Sequence, residues 1–195
     1  MRIFIAVIIL IFSLQSLIKA EDISDFEIEG MSIGDSLLDY MTVDEIESNI
    51  LQYFNDKRKY YVVGKIDNLN KYEQLEIYLK SDDKNYEIKT LGGFIWIEGD
   101  KCLSKQKEID KEFRELFSNL KIYSATISHI YDKSGKSKQK QTNYVFGSDA
   151  SKDDHIRTEC VSWSDEIKQK EGWTDNLIVI AMTSEILKWV DSGYK

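Results

Sequence analysis

The stretch CLSKQKEIDKEFRELFSNL, residues 102–120, decides the architecture through its periodicity. Cys102, Gln106, Ile109, Phe113, Leu116 and Leu120 recur at spacings of 4, 3, 4, 3 and 4, which places them along one face of an α-helix. All but Gln106 are apolar. Lys105, Lys107, Glu108, Asp110, Lys111, Glu112, Arg114 and Glu115 fill the rest of the surface, leaving one face to bury and the others suited to water. Such a helix is expected to lie across a sheet.

The sequence on either side supplies that sheet. Ahead of the helix, residues 60–66, 72–80 and 86–97 are β-branched, aromatic or strictly alternating, and polar segments of hairpin length separate them. Gly92-Gly93 inside the third run predicts a bulge or bend. After the helix, residues 121–131, 143–146, 155–163 and 176–182 read as a second set of strands. Two shorter helices precede the first set: residues 36–40 with Asp35 as cap, then a capping box of Thr42 and Glu45 opening a helix to about Phe54. Val43, Ile46, Ile50, Leu51 and Phe54 form the buried stripe expected of the second. Thr183 and Ser184 cap a last helix, 185–191, that stops near Gly193. Hairpin connections favour antiparallel pairing, so the expected class is α+β: an antiparallel sheet with helices on one face. The order is compatible with two α-β-β-β units, residues 31–99 and 100–195, although identity between them is too low to establish a repeat.

Residues 1–20 combine Arg2, an apolar run from Ile3 to Leu14 and a tail ending in Lys19 and Ala20, the pattern of a secretory signal cleaved before Glu21. The run is short for a permanent span, which needs roughly 20 apolar residues. No stable membrane insertion is expected after cleavage. Residues 21–195 are then a single exported, soluble domain, periplasmic or extracellular. The formal charge of −8, about −10 without Arg2 and Lys19, opposes binding to nucleic acid. Hydrophobic residues at 42% and charged residues at 31% are those of a globular chain with a core. Proline is absent, so turns fall to Gly, Asn, Asp and Ser. Cys102 and Cys160 form an even pair in an oxidising compartment, and the expected disulfide closes a loop of 58 residues, fastening helix to sheet.

Chemistry is sparsely marked. His129 and His155 stand apart with no ligand spacing, no nucleophile elbow is present, and neither a metal nor a cofactor is expected. Asp149, Asp153 and Asp154 lack the spacing of a calcium loop. The tract VSWSDEIKQKEGWTDN, residues 161–176, is the main candidate: Trp163 and Trp173 flank Asp165, Glu166 and Asp175, an aromatic platform beside carboxylates such as holds sugar rings. Residues 132–141 gather Lys133, Lys136, Lys138 and Lys140 in a polar loop that could meet an anionic envelope surface.

The stretch FEIEGMSIGDSLLDY, residues 26–40, with the signal-like N-terminus and the Cys102 helix, resembles small exported proteins of AT-rich marine bacteria over most of the mature chain. That resemblance implies export and carries over no catalytic residue. Glu29-Gly30-Met31-Ser32 is also similar to the Gly-Met-Thr motif of the small outer-membrane assembly lipoproteins of the SmpA/OmlA type. The lipid-bearing cysteine of that family has no counterpart here. Two functions are therefore expected of the sequence: a non-catalytic exported domain binding an envelope protein or small ligand, or a secreted glycan hydrolase using carboxylates of residues 163–175.

Overall fold

A computed structural model describes residues 22–53, 59–65 and 67–192; the signal-like segment, Phe54, Ile66 and Gly193 lie outside them. The described chain opens with a 3-10 turn, Ile23–Asp25, followed by a two-stranded hairpin of β1 (Glu27–Ile28) and β2 (Met31–Ser32). Glu29 and Gly30 make its turn with φ of 54° and 78°. The Glu29 carboxylate accepts hydrogen bonds from the backbone N–H groups of Asn70, Lys71 and Tyr72, which fastens the hairpin to a distant loop.

The next segment is where local pattern and structure part. Residues 36–40 form only a 3-10 turn, Leu37–Asp39, and its cap is Ser36, while Asp35 turns back to accept from Ser32 N. The capping box of Thr42 and Glu45 opens α1 as expected, but α1 (Val43–Ser48) ends well before Phe54. Ser48 Oγ and Asn49 Nδ2 donate to the carbonyls of Asp44 and Glu45, local side-chain bonds that compete with the backbone ladder at the helix end. Residues 50–53 become a strand, β3 (Ile50–Tyr53), so of the expected stripe Ile46 is buried while Val43 and Leu51 are exposed.

From β3 onward the chain builds one antiparallel sheet. Its other strands are β4 (Tyr60–Lys65), β5 (Gln74–Lys80), β6 (Thr90–Trp96), β7 (Lys121–Ser128), β8 (Lys138–Val145), β9 (His155–Ser162) and β10 (Asn176–Met182), in spatial order β3-β4-β5-β6-β10-β9-β8-β7. Each half is a helix followed by four strands, and the halves meet where the last strands, β6 and β10, pair from Asn176↔Trp96 to Met182↔Thr90. The edge strand β7 is exposed along most of its length.

Alternation along the strands divides the side chains between two faces. Tyr61, Val63, Leu75, Ile77, Leu79, Leu91, Val179, Ile156 and Tyr144 point to the first, which carries the main core. α2 (Gly99–Leu116) lies there across β9 and β10, ending a turn before Leu120, which still packs against the core. The polar member of its stripe, Gln106, is 1% exposed and donates to the carbonyls of Lys140 and Thr158. One turn on, Asp110 accepts from the hydroxyls of Thr142, Thr158 and Tyr144, so the helix meets the sheet partly through hydrogen bonds. Burial, then the Asp110 charge, pushes the Tyr144 phenol up and keeps it a donor. Cys102 and Cys160 are bridged with Cα atoms 5.9 Å apart, which joins helix to sheet as the sequence implied.

The α+β class holds, with one helix departing from the single-face arrangement. α4 (Ser184–Asp191), capped by Thr183, crosses to the second face, where Ile186 and Trp189 pack on Tyr60 and Tyr78. Gly92 and Gly93 form no bulge; they pair in register with Glu76 and Leu75 on β5 and with Ile180 and Val179 on β10. The Tyr72 ring covers Gly93 so closely that an added Cβ would stand 2.5 Å from Cδ1. Gly93→Ala should therefore lower stability by about 1–3 kcal/mol in urea titration, as overpacking does. Replacing Cys102 and Cys160 together with serine should lower it by roughly 2–4 kcal/mol.

Candidate functional site

The second face leaves a concave region uncovered over the β6–β10 seam. Register sets its floor: Phe94 stands beside Ile178, Trp96 beside Asn176, and Asn176 beside Val161. Glu76 reaches the same face from β5. Walls come from three connections. The β9–β10 connection contains α3 (Asp165–Glu171) and supplies Trp163 before it and Gly172, Trp173 and Thr174 after it. The β7–β8 hairpin tip supplies His129 and Tyr131. Together they enclose a pocket of about 550 Å³.

Local chemistry explains why the walls stand where they do. β9 ends at Ser162, and two residues on Ser164 caps α3, its Oγ accepting from Ile167 N. Gly172 closes α3 with φ of 72°, a conformation that favours glycine, and the chain reverses to bring Trp173 within 4.6 Å of Trp163, centroid to centroid. Asp175, almost fully buried, accepts from Trp163 N at 2.8 Å and pairs with Lys168 at 3.0 Å, which pins the two ends of the connection together.

The hairpin tip is held by a separate clamp. Asp132 accepts from the N–H and hydroxyl of both Ser134 and Ser137, and from Ser164 Oγ across the gap. Ser164 N donates to Ser137 Oγ as well. The hydroxyls of Ser134 and Ser137, with the amide of Ser137, hold the Asp132 carboxyl well below the usual carboxylate range. The clamp fixes His129 at 4.2 Å from the Trp163 ring and Tyr131 at 5.9 Å from that of Trp173. Trp96, Tyr131 and Trp173 remain exposed at the rim.

Charge in and around the pocket is uneven. Burial pushes the Glu76 carboxyl up, and Gln74 Nε2 at 3.3 Å opposes that only in part. Burial also pushes His129 down, against the pull of Asp132, which favours the uncharged ring. No lysine or arginine is among the described residues lining the pocket. Lys168 is paired with Asp175, and Arg157, on the same sheet face, is held by Asn143 Oδ1 at 2.7 Å and faces Glu159 at 3.7 Å. Asn176 Oδ1, buried in the floor, finds no donor among the described residues.

The residues singled out from sequence fare unequally. Trp163 and Trp173 do come together in the pocket. Asp175 supports them from behind, while Asp165 and Glu166 sit exposed in the first turn of α3 and do not line it. Lys138 and Lys140 belong to β8 rather than to a loop, and Lys138 Nζ donates to Gly135 O and Ser128 Oγ; Lys133 and Lys136 stand exposed at the tip. Glu76, Phe94, Trp96, Tyr131 and Asn176 carry no local signal of a site, and His129 stands apart in the sequence; they come from separated segments that only the strand order unites. No family model matches the chain, and neither the curated proteins nor the solved structures give a match.

Asp132→Ala should free the hairpin tip without unfolding the sheet. Acrylamide quenching of tryptophan emission should rise about twofold as Tyr131 and His129 leave the indole rings. Since the folded pKa is depressed below 3.8, the clamp's contribution is complete above that pH and is lost as pH falls through the folded value.

Proposed function

We propose that the chain is an exported, non-catalytic binding domain whose pocket takes a small ligand with a flat or apolar face. The observation that carries this reading is the lining itself: Phe94, Trp96, His129, Tyr131, Trp163 and Trp173 from both halves of the sheet, around one space. A volume of about 550 Å³ falls within the ordinary range for small-molecule sites. Rigid aromatic walls offer contact area at little entropic cost. Export is supported by the signal-like N-terminus and by the Cys102–Cys160 bridge, which suits an oxidising compartment. Among the described residues, no helix is long and apolar enough to cross a membrane.

The hydrolase reading needs a pair of carboxylates facing one another across the substrate, roughly 5 to 9.5 Å apart. Glu76 is the one carboxylate among the described residues lining the pocket, with Asp165, Glu166 and Asp175 placed elsewhere. Binding without bond cleavage is the simpler use of such a site.

N-phenyl-1-naphthylamine, a neutral aromatic dye that brightens in apolar surroundings, tests the pocket. Its emission should rise saturably with protein, and Trp173→Ala should weaken binding about fivefold or more. Emission indifferent to the protein, or to that substitution, would overturn the reading. Intact mass of native material should likewise correspond to a chain beginning at Glu21, with neither cysteine alkylated in the absence of reductant.

A further inference from the structure

The pocket's polar groups are as informative as its rings. Glu76 has an acceptor-only carboxylate when ionised, and among the described residues the side-chain hydrogen bond it receives is the 3.3 Å contact from Gln74. Among the described residues no cation pairs with it. The side chains that could supply positive charge nearby are committed elsewhere: Lys168 to Asp175, Arg157 to Asn143 and Glu159. Burial favours the uncharged ring of His129. A carboxylate set among aromatic walls, with no cation beside it among the described residues, is an arrangement that an entering cation would balance.

The rings favour the same kind of visitor. Aromatic faces are negative, and Trp, Tyr and Phe attract a cation placed over them, Trp most strongly. Three tryptophans, Tyr131 and Phe94 line this one space. An anion would meet Glu76 and the ring faces, both repulsive, and no donor cluster to hold it. A sugar would find the stacking surface but few of the hydrogen-bonding partners that its hydroxyls require. Resting on the binding function proposed above, we infer that the ligand is an organic ammonium ion, its charged head set against Glu76 and the indole rings and its substituents filling the apolar remainder.

Choline and its uncharged isostere 3,3-dimethylbutan-1-ol separate charge from shape. Both are titrated at pH 8, against tryptophan emission and by calorimetry. Choline should bind about tenfold or more tightly than the alcohol, the scale expected for a desolvated cation–π contact beside a carboxylate. Glu76→Gln should remove most of that preference, with an unchanged far-UV circular dichroism spectrum and urea midpoint showing the variant to be folded. Equal binding of choline and the alcohol, or a preference that survives Glu76→Gln, would overturn the inference and leave the apolar-pocket reading standing. Failure of the dye as well as both small probes would bring down both.

Discussion

The ladder of backbone hydrogen bonds between β6 and β10 is the contact on which the rest of the molecule depends. Without it each half would be a four-stranded meander with an apolar last strand at its rim, its N–H and C=O groups turned to water. With it, the two rims become the centre of an eight-stranded sheet. Gly92 and Gly93 sit in the middle of this seam, where the lack of a side chain lets Ile180 approach on one face and the Tyr72 ring on the other. Continuity of the ladder through both glycines keeps Phe94 and Trp96 in step with Ile178 and Asn176. The floor of the pocket is thus a direct product of register.

The two faces are then put to different uses. On the first, α2 is secured by three kinds of interaction at successive turns: the Cys102 bridge, the Gln106 amide on strand carbonyls, and Asp110 on three hydroxyls. Apolar packing of Ile109, Phe113 and Phe117 completes it, with Phe26, Tyr144 and Phe146 meeting the phenyl rings edge-on. On the second face α4 covers only the β4–β5 side. The remainder is fenced by connections held in place by Asp132 and Asp175, so acidic residues act here as fasteners of loops rather than as reagents.

How much of this could be read from residues alone follows from the range of each interaction. The α2 stripe, the Thr42 box, the strands of the first half and the disulfide were legible because periodicity, capping and cysteine pairing are written locally or leave few alternatives. The short strand at Ile50 was not, since two apolar residues after a helix fit either period until Asn49 ends the helix. The Gly92-Gly93 bulge was wrongly inferred because the ring that covers Gly93 belongs to another segment. Trp163 and Trp173 could be paired from proximity in sequence, whereas Glu76 lies about 50 residues from His129 and 100 from Asn176. Strand order, which the chain does not spell out, decides that they meet.

That the pocket straddles the seam ties occupancy to the integrity of the whole sheet. Glu76, Phe94 and Trp96 belong to one half and every other lining residue to the other, so neither half alone presents a site. A ligand held there favours only the state in which both halves are joined, and at a hundredfold excess over its dissociation constant it deepens that state by about 2.7 kcal/mol. Such a molecule would act as a strut between the meanders beside the β6–β10 ladder, and the melting point of the chain would become a gauge of how full the pocket is.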